Sequence, residues 1–95
     1  MISIAEMSPD HEVGAAICQD AQGLSFGPLS TGGPYNVSVP LRCPADGQVV
    51  GVFHTHPGGE AVPSSYDMAE AERLGLQYLA IGVPDTGEFS MQYLN

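Results

Sequence analysis

Two imidazoles, a hydroxyl and a carboxylate fall within one short stretch of this 95-residue chain. The stretch reads His54-Thr55-His56-Pro57 and then Ser64-Ser65-Tyr66-Asp67, with seven residues between His56 and Ser64 and two between Ser64 and Asp67. Two neutral imidazoles and a carboxylate are a donor set for a catalytic zinc, which keeps its fourth position for water. Amide hydrolysis at such a site needs two further groups. A carboxylate has to take a proton and return it, and a donor has to face the developing oxyanion. Ser64, just ahead of Asp67, is placed for the donor role. The loop offers only Glu60 as a further carboxylate, so the base comes from elsewhere in the chain.

These residues need elements to hold them. Residues 48–54, Gln-Val-Val-Gly-Val-Phe-His, form a near-continuous apolar run, as in a strand covered on both faces. Side chains two apart on a strand point the same way, so His54 and His56 at its end converge. Residues 57–63 hold two glycines and two prolines and read as a loop. Ser64 or Ser65 then caps a helix running to about Leu74, with Gly75 as its stop. Asp67 falls in the first turn, so the third ligand arrives from a separate element.

The rest reads as strands and turns. Residues 12–19 form a strand whose small residues permit close backbone approach, and 24–26 a second one after a turn. Residues 27–34 are a loop, and 35–39 alternate like a half-buried strand. Residues 77–83 are a buried strand, 84–87 a hairpin turn, and 88–94 a last alternating strand. The expected fold is α+β: one domain over 1–95, with a mixed or antiparallel sheet and one main helix packed on it.

Composition narrows the partners. The formal net charge is −9, with eleven acidic residues against Arg42 and Arg73 and no lysine. Such a surface repels phosphate backbones and anionic bilayers, so neither nucleic acid nor membrane is expected. It suits a basic partner or a high-salt cytoplasm. Cys18 and Cys43 are too few for a disulfide scaffold and lack zinc-ribbon spacing, so they read as two buried thiols. No stretch is long and apolar enough to span a bilayer, and no signal peptide is apparent. The expectation is a soluble, cytoplasmic protein.

The spacing His54-x-His56, seven residues, Ser64-x-x-Asp67 resembles the JAMM motif of the MPN+ zinc metalloproteases. Glu12, in Glu12-Val13-Gly14-Ala15-Ala16-Ile17, resembles the glutamate that the family carries on an early strand. The Pro63-Ser64 step is similar to that of minimal prokaryotic members. The resemblance implies a cytidine-deaminase-like, MPN-type sheet and one Zn2+ held by His54, His56 and Asp67. It also implies Glu12 as general base and Ser64 as oxyanion donor. The substrates it implies are proteins or peptides, cleaved at peptide or isopeptide bonds, including bonds at the C-termini of ubiquitin-like proteins. The chain departs from the family in two places. Residues 1–11 are short for the helix that usually precedes the glutamate strand, and the region of substrate-gripping insertions is brief.

Plainer readings stand beside these. His-x-His alone describes many surface strands, and Ser-x-x-Asp is a helix capping box with no catalytic content. A glutamate at a strand start is ordinarily solvated, and Glu6 competes for the role of base. His54-x-His56-x-x-x-Glu60 imitates a cupin motif, but no histidine follows His56. The histidine pair of barrel amidohydrolases requires about 250 residues. His11, Arg42 and Arg73 read as surface, Tyr66, Phe53 and Met68 as packing, and Gly58-Gly59 as a flexible connection. The alternative function is a non-catalytic MPN-like module that binds a protein partner.

Overall fold

The computed structural model describes residues 10–33, 37–44, 46–59 and 61–94. Glu6, Tyr35, Asn36 and Glu60 lie outside them. The element order is β1 (Val13–Asp20), β2 (Gly23–Phe26), β3 (Ser30–Thr31), β4 (Gln48–Thr55), α1 (Ser65–Arg73), β5 (Tyr78–Val83) and β6 (Glu88–Tyr93). The strands form one mixed, curled sheet in the order β2-β1-β4-β5-β6, with β3 beside β2 on the same edge of β1. The only helix among the described residues packs against this half-barrel, so the fold is the expected α+β arrangement of MPN type.

The pairings follow from the connections. Tight turns join β1 to β2 and β5 to β6, and both pairs are antiparallel. β4 and β5 are parallel, which requires a crossover, and α1 with its flanking loops supplies it. Gly75, at φ +67°, ends the helix in the left-handed conformation. The central strands β1, β4 and β5 carry nearly all the buried apolar residues, among them Ala15, Ile17, Phe53, Leu79, Ala80 and Ile81. That is the burial their continuous hydrophobic runs require.

Register divides the sheet into two faces. Gly14 pairs with His54, and His54 with Ile81, while Val52 pairs with Leu79. These residues face α1. Phe53 lies on the opposite face, with its ring centroid 5.4 Å from that of Phe26 and 6.2 Å from that of Phe89. Ile17 pairs with Gly51 but Cys18 with Val49, so Val50 is the extra residue of a bulge. Val50 thereby joins Ile17, Phe53 and Ala80 in one buried cluster.

Three expectations are corrected. Val37, Ser38 and Val39 form no strand; they cross beside β1, where a Cβ on Gly14 would come within 2.7 Å of Val39 Cγ2. The expected loop at 27–34 contains the short strand β3, which pairs Ser30 and Thr31 with Gly14 and Val13. Cys18 and Cys43 are not free thiols but form a disulfide, with Cα atoms 5.7 Å apart. The spacing rule failed because the two residues meet through tertiary packing. The disulfide ties residues 37–44 to β1.

Candidate metal centre

The imidazoles come from the end of β4. His54 is nearly buried on the strand, and the His56 N–H donates to Gly82 O at 2.8 Å. That bond carries the β4–β5 pairing one residue past Thr55. His56 therefore keeps the strand alternation and stands on the same side as His54, with ring centroids 4.9 Å apart and planes at 81°.

The loop after His56 is folded back by named bonds. Gly59 N–H donates to His56 O at 3.1 Å, and Gly58, at φ +67°, donates to Asp85 Oδ1 at 3.0 Å. Ser90 Oγ donates to Ala61 O at 2.5 Å. Asp85 and Ser90 belong to the β5–β6 hairpin, so the hairpin sets where α1 begins. Neither residue carried a signal in sequence, because each acts through a backbone partner far along the chain.

Ser64 is the N-cap of α1. Its Oγ accepts from Asp67 N–H at 3.1 Å, and Asp67 Oδ2 accepts from Ser64 N–H at 2.8 Å. This reciprocal box satisfies two backbone donors that a helix start leaves open. It also locks the Asp67 side chain. Asp67 Oδ1 lies 3.2 Å from His54 Nε2, and Oδ2 lies 3.2 Å from His56 Nε2. Capping and cluster formation are thus done by one carboxylate.

Glu12 reaches the same cluster from the other end of the chain. Its backbone is held on both sides: its N–H donates to Gly33 O at 2.9 Å, and its carbonyl accepts from Gly32 N–H at 2.8 Å. The next N–H, of Val13, donates to the fully buried Thr55 Oγ1 at 2.9 Å. These bonds set Glu12 Oε1 3.2 Å from His54 Nδ1. Glu12 is buried, unlike the solvated glutamate that a strand start suggests. Thr55, between the two histidines, is a positioning residue that motif reading passed over.

The electrostatics follow from this packing. Burial alone would lower the His54 pKa, but hydrogen bonding to Asp67 and its charge, and then those of Glu12, outweigh burial and raise it. Burial alone would raise Asp67. The hydrogen bond to His54 and the bonds from Ser64 hold its carboxyl far below the ordinary carboxylate range instead.

His54, His56 and Asp67 each turn one ligand atom to within 4.8 Å of the others. Each Asp67 oxygen lies 3.2 Å from one imidazole nitrogen, Oδ1 from His54 and Oδ2 from His56, so the carboxylate stands between both rings, and two imidazoles with a carboxylate are donors that zinc takes. Donor types and spacing therefore suit metal ligation. Glu12 contacts the remaining nitrogen of His54, the arrangement that fixes tautomer and ring orientation in metal-binding histidines. Of the expected packing residues, Phe53 is in the core, whereas Tyr66 is 71 % exposed and stands beside the cluster.

No curated protein matches the chain. A family profile does, and its match runs over residues 4–94, which contain every residue of the cluster. With the sheet, the crossover helix and the donor geometry all in agreement, the chain belongs to the prokaryotic homologues of the JAB domain.

Proposed function

We propose that this protein is a zinc-dependent hydrolase of peptide or isopeptide bonds, with one ion per chain held by His54, His56 and Asp67. The convergence of these three side chains, with Glu12 behind His54, carries the reading. Zinc there supplies Lewis acidity, bringing the pKa of a water to about 7 and polarising the scissile carbonyl. The chain's own residues do the rest. Glu12 accepts the proton of the attacking water and returns it to the leaving amine. Its contact with Nδ1 holds a proton on that nitrogen and leaves Nε2 directed at the cluster. The Ser64 hydroxyl accepts from Asp67 N–H, so its own hydrogen stays available for the developing oxyanion.

The partner follows from charge and site. An acidic chain of net charge −9 attracts a basic protein or peptide segment. A flexible tail, such as the C-terminus of a ubiquitin-like protein, suits a site at a strand end. The test is mass spectrometry of a ubiquitin-like fusion incubated with the protein, with and without chelator, alongside metal analysis of the purified protein. Chelator-sensitive cleavage is expected. A folded protein that takes up no zinc would reduce it to a binding module.

A further inference from the structure

A groove of about 360 Å³ adjoins the cluster, with His54 and Asp67 in its lining. Val52 of β4 and Leu79 of β5 make its floor. Val39 and Leu41, in the segment fastened by the disulfide, make one wall, and Ala71 and Leu74 of α1 the other. Among the described residues, its polar lining beyond the cluster is Ser38, Tyr66, and Glu70 with Arg73, which pair with each other at 2.6 Å on the helix surface.

A groove so lined has few polar partners to offer. A polar side chain entering it would lose water without compensation, whereas an apolar one gains from leaving water. The volume accommodates a side chain of leucine to phenylalanine size with part of its backbone, whereas a glycine would leave the apolar floor uncovered. Arg73 is already neutralised by Glu70, and the chain has an excess of acidic residues, so basic residues are favoured on either side.

We propose that this groove is a specificity pocket for a leucine- to phenylalanine-sized apolar side chain next to the scissile bond, in a peptide with basic flanks. The assignment rests on the hydrolase reading for its catalytic consequence, but binding in the groove is measurable without turnover. A ubiquitin-like tail that presents glycine beside the bond leaves the pocket empty and is still cleaved, but more slowly than a peptide that fills it. The pocket discriminates by size and hydrophobicity, which for one buried side chain is worth about tenfold to a hundredfold.

The experiment uses zinc-loaded protein and short fluorescein-labelled peptides of glycine, serine and arginine, in which leucine or phenylalanine is walked through each position. Cleavage is read by mass spectrometry and binding to the Glu12→Gln variant by anisotropy. One position should favour leucine over glycine about tenfold or more in kcat/KM and in affinity. Val39→Asp should erase that preference through KM while zinc content holds, and Leu41→Asp guards against a local folding defect in the first variant. Failure of every peptide to be cleaved would sink the hydrolase reading, and anisotropy would still decide the groove. Equal or tighter binding of the parent peptide without leucine or phenylalanine, or preference unchanged in both variants, would overturn the pocket.

Discussion

The carboxylate of Glu12 lies 3.2 Å from Nδ1 of His54, although forty-two positions separate the two residues. The antiparallel register of β1 and β4 creates this contact, with Gly14 opposite His54 and Val13 bonded to Thr55. Under the proposed mechanism it gives Glu12 two separable tasks, moving a proton and orienting a ligand. Glu12→Gln keeps an acceptor for Nδ1–H but is no base. Turnover should fall by about 10²–10⁴-fold, with zinc affinity nearly intact. Glu12→Ala removes both tasks and should also weaken zinc by about 10–100-fold. Titration with a chromogenic chelator beside steady-state kinetics measures the split. Full activity in Glu12→Gln would remove the base from the scheme.

Ser64 and Asp67 combine a cap with a site, so substitutions have to separate the two. Ser64→Ala loses the cap, at a cost of about 1 kcal/mol, and should lose the proposed oxyanion donor, lowering kcat by about 10²–10³-fold. Ser64→Thr retains hydroxyl and cap and should restore both. Asp67→Asn keeps the acceptor for Ser64 N–H while offering zinc a neutral amide. It should still fold, with a chelated Tm lowered by the loss of the carboxylate's contacts to His54 and His56, and bind zinc much more weakly. Unchanged metal content in Asp67→Asn would exclude it as a ligand.

The cluster sets the pH response of the metal-free protein. The folded pKa of His54 is raised above its ordinary 6.5. Its contribution to stability is therefore complete below about 6.5 and is lost as pH rises through the folded value. Asp67 is depressed below its ordinary 3.8, so its contribution is present above about 3.8 and disappears as pH falls through its folded value. The pair supports the chelated protein most between those limits. Zinc requires His54 neutral, so the gain in Tm on adding zinc should grow from about pH 6 to pH 8. A zinc-induced gain that shrinks over that range would contradict the assignment of His54 as ligand.

The disulfide between Cys18 and Cys43 closes a loop with a sequence separation of 25. By chain entropy such a loop is worth about 3 kcal/mol. It also anchors the segment carrying Val39 and Leu41. A dithiol reductant, or the Cys18→Ser and Cys43→Ser double variant, should lower Tm and raise KM for an apolar peptide. Zinc content should stay constant, because no ligand lies on the freed segment. Calorimetry with kinetics in each redox state checks this, and a KM indifferent to reduction would show that the wall holds without the bond.

Much of this molecule could be read from local pattern. The buried run through β4, the serine cap, the glycine stop after α1 and the hairpin turn before β6 all came where periodicity and turn chemistry placed them. The reason is that each depends on neighbours within a few residues. The donor types and intervals from His54 to Asp67 belong to the same class. Other features have no local cause. Glu12 is buried rather than solvated because β1 registers against β4 and residues 32–33 clamp its backbone. Residues 37–39 forgo a strand to cross β1 at Gly14, and Cys18 finds Cys43 through that crossing. The groove exists because the tethered segment and α1 stand on opposite sides of one sheet face. Spacing along the chain therefore specifies which chemical groups are present. Long-range register and packing, which no short window encodes, decide which of them meet.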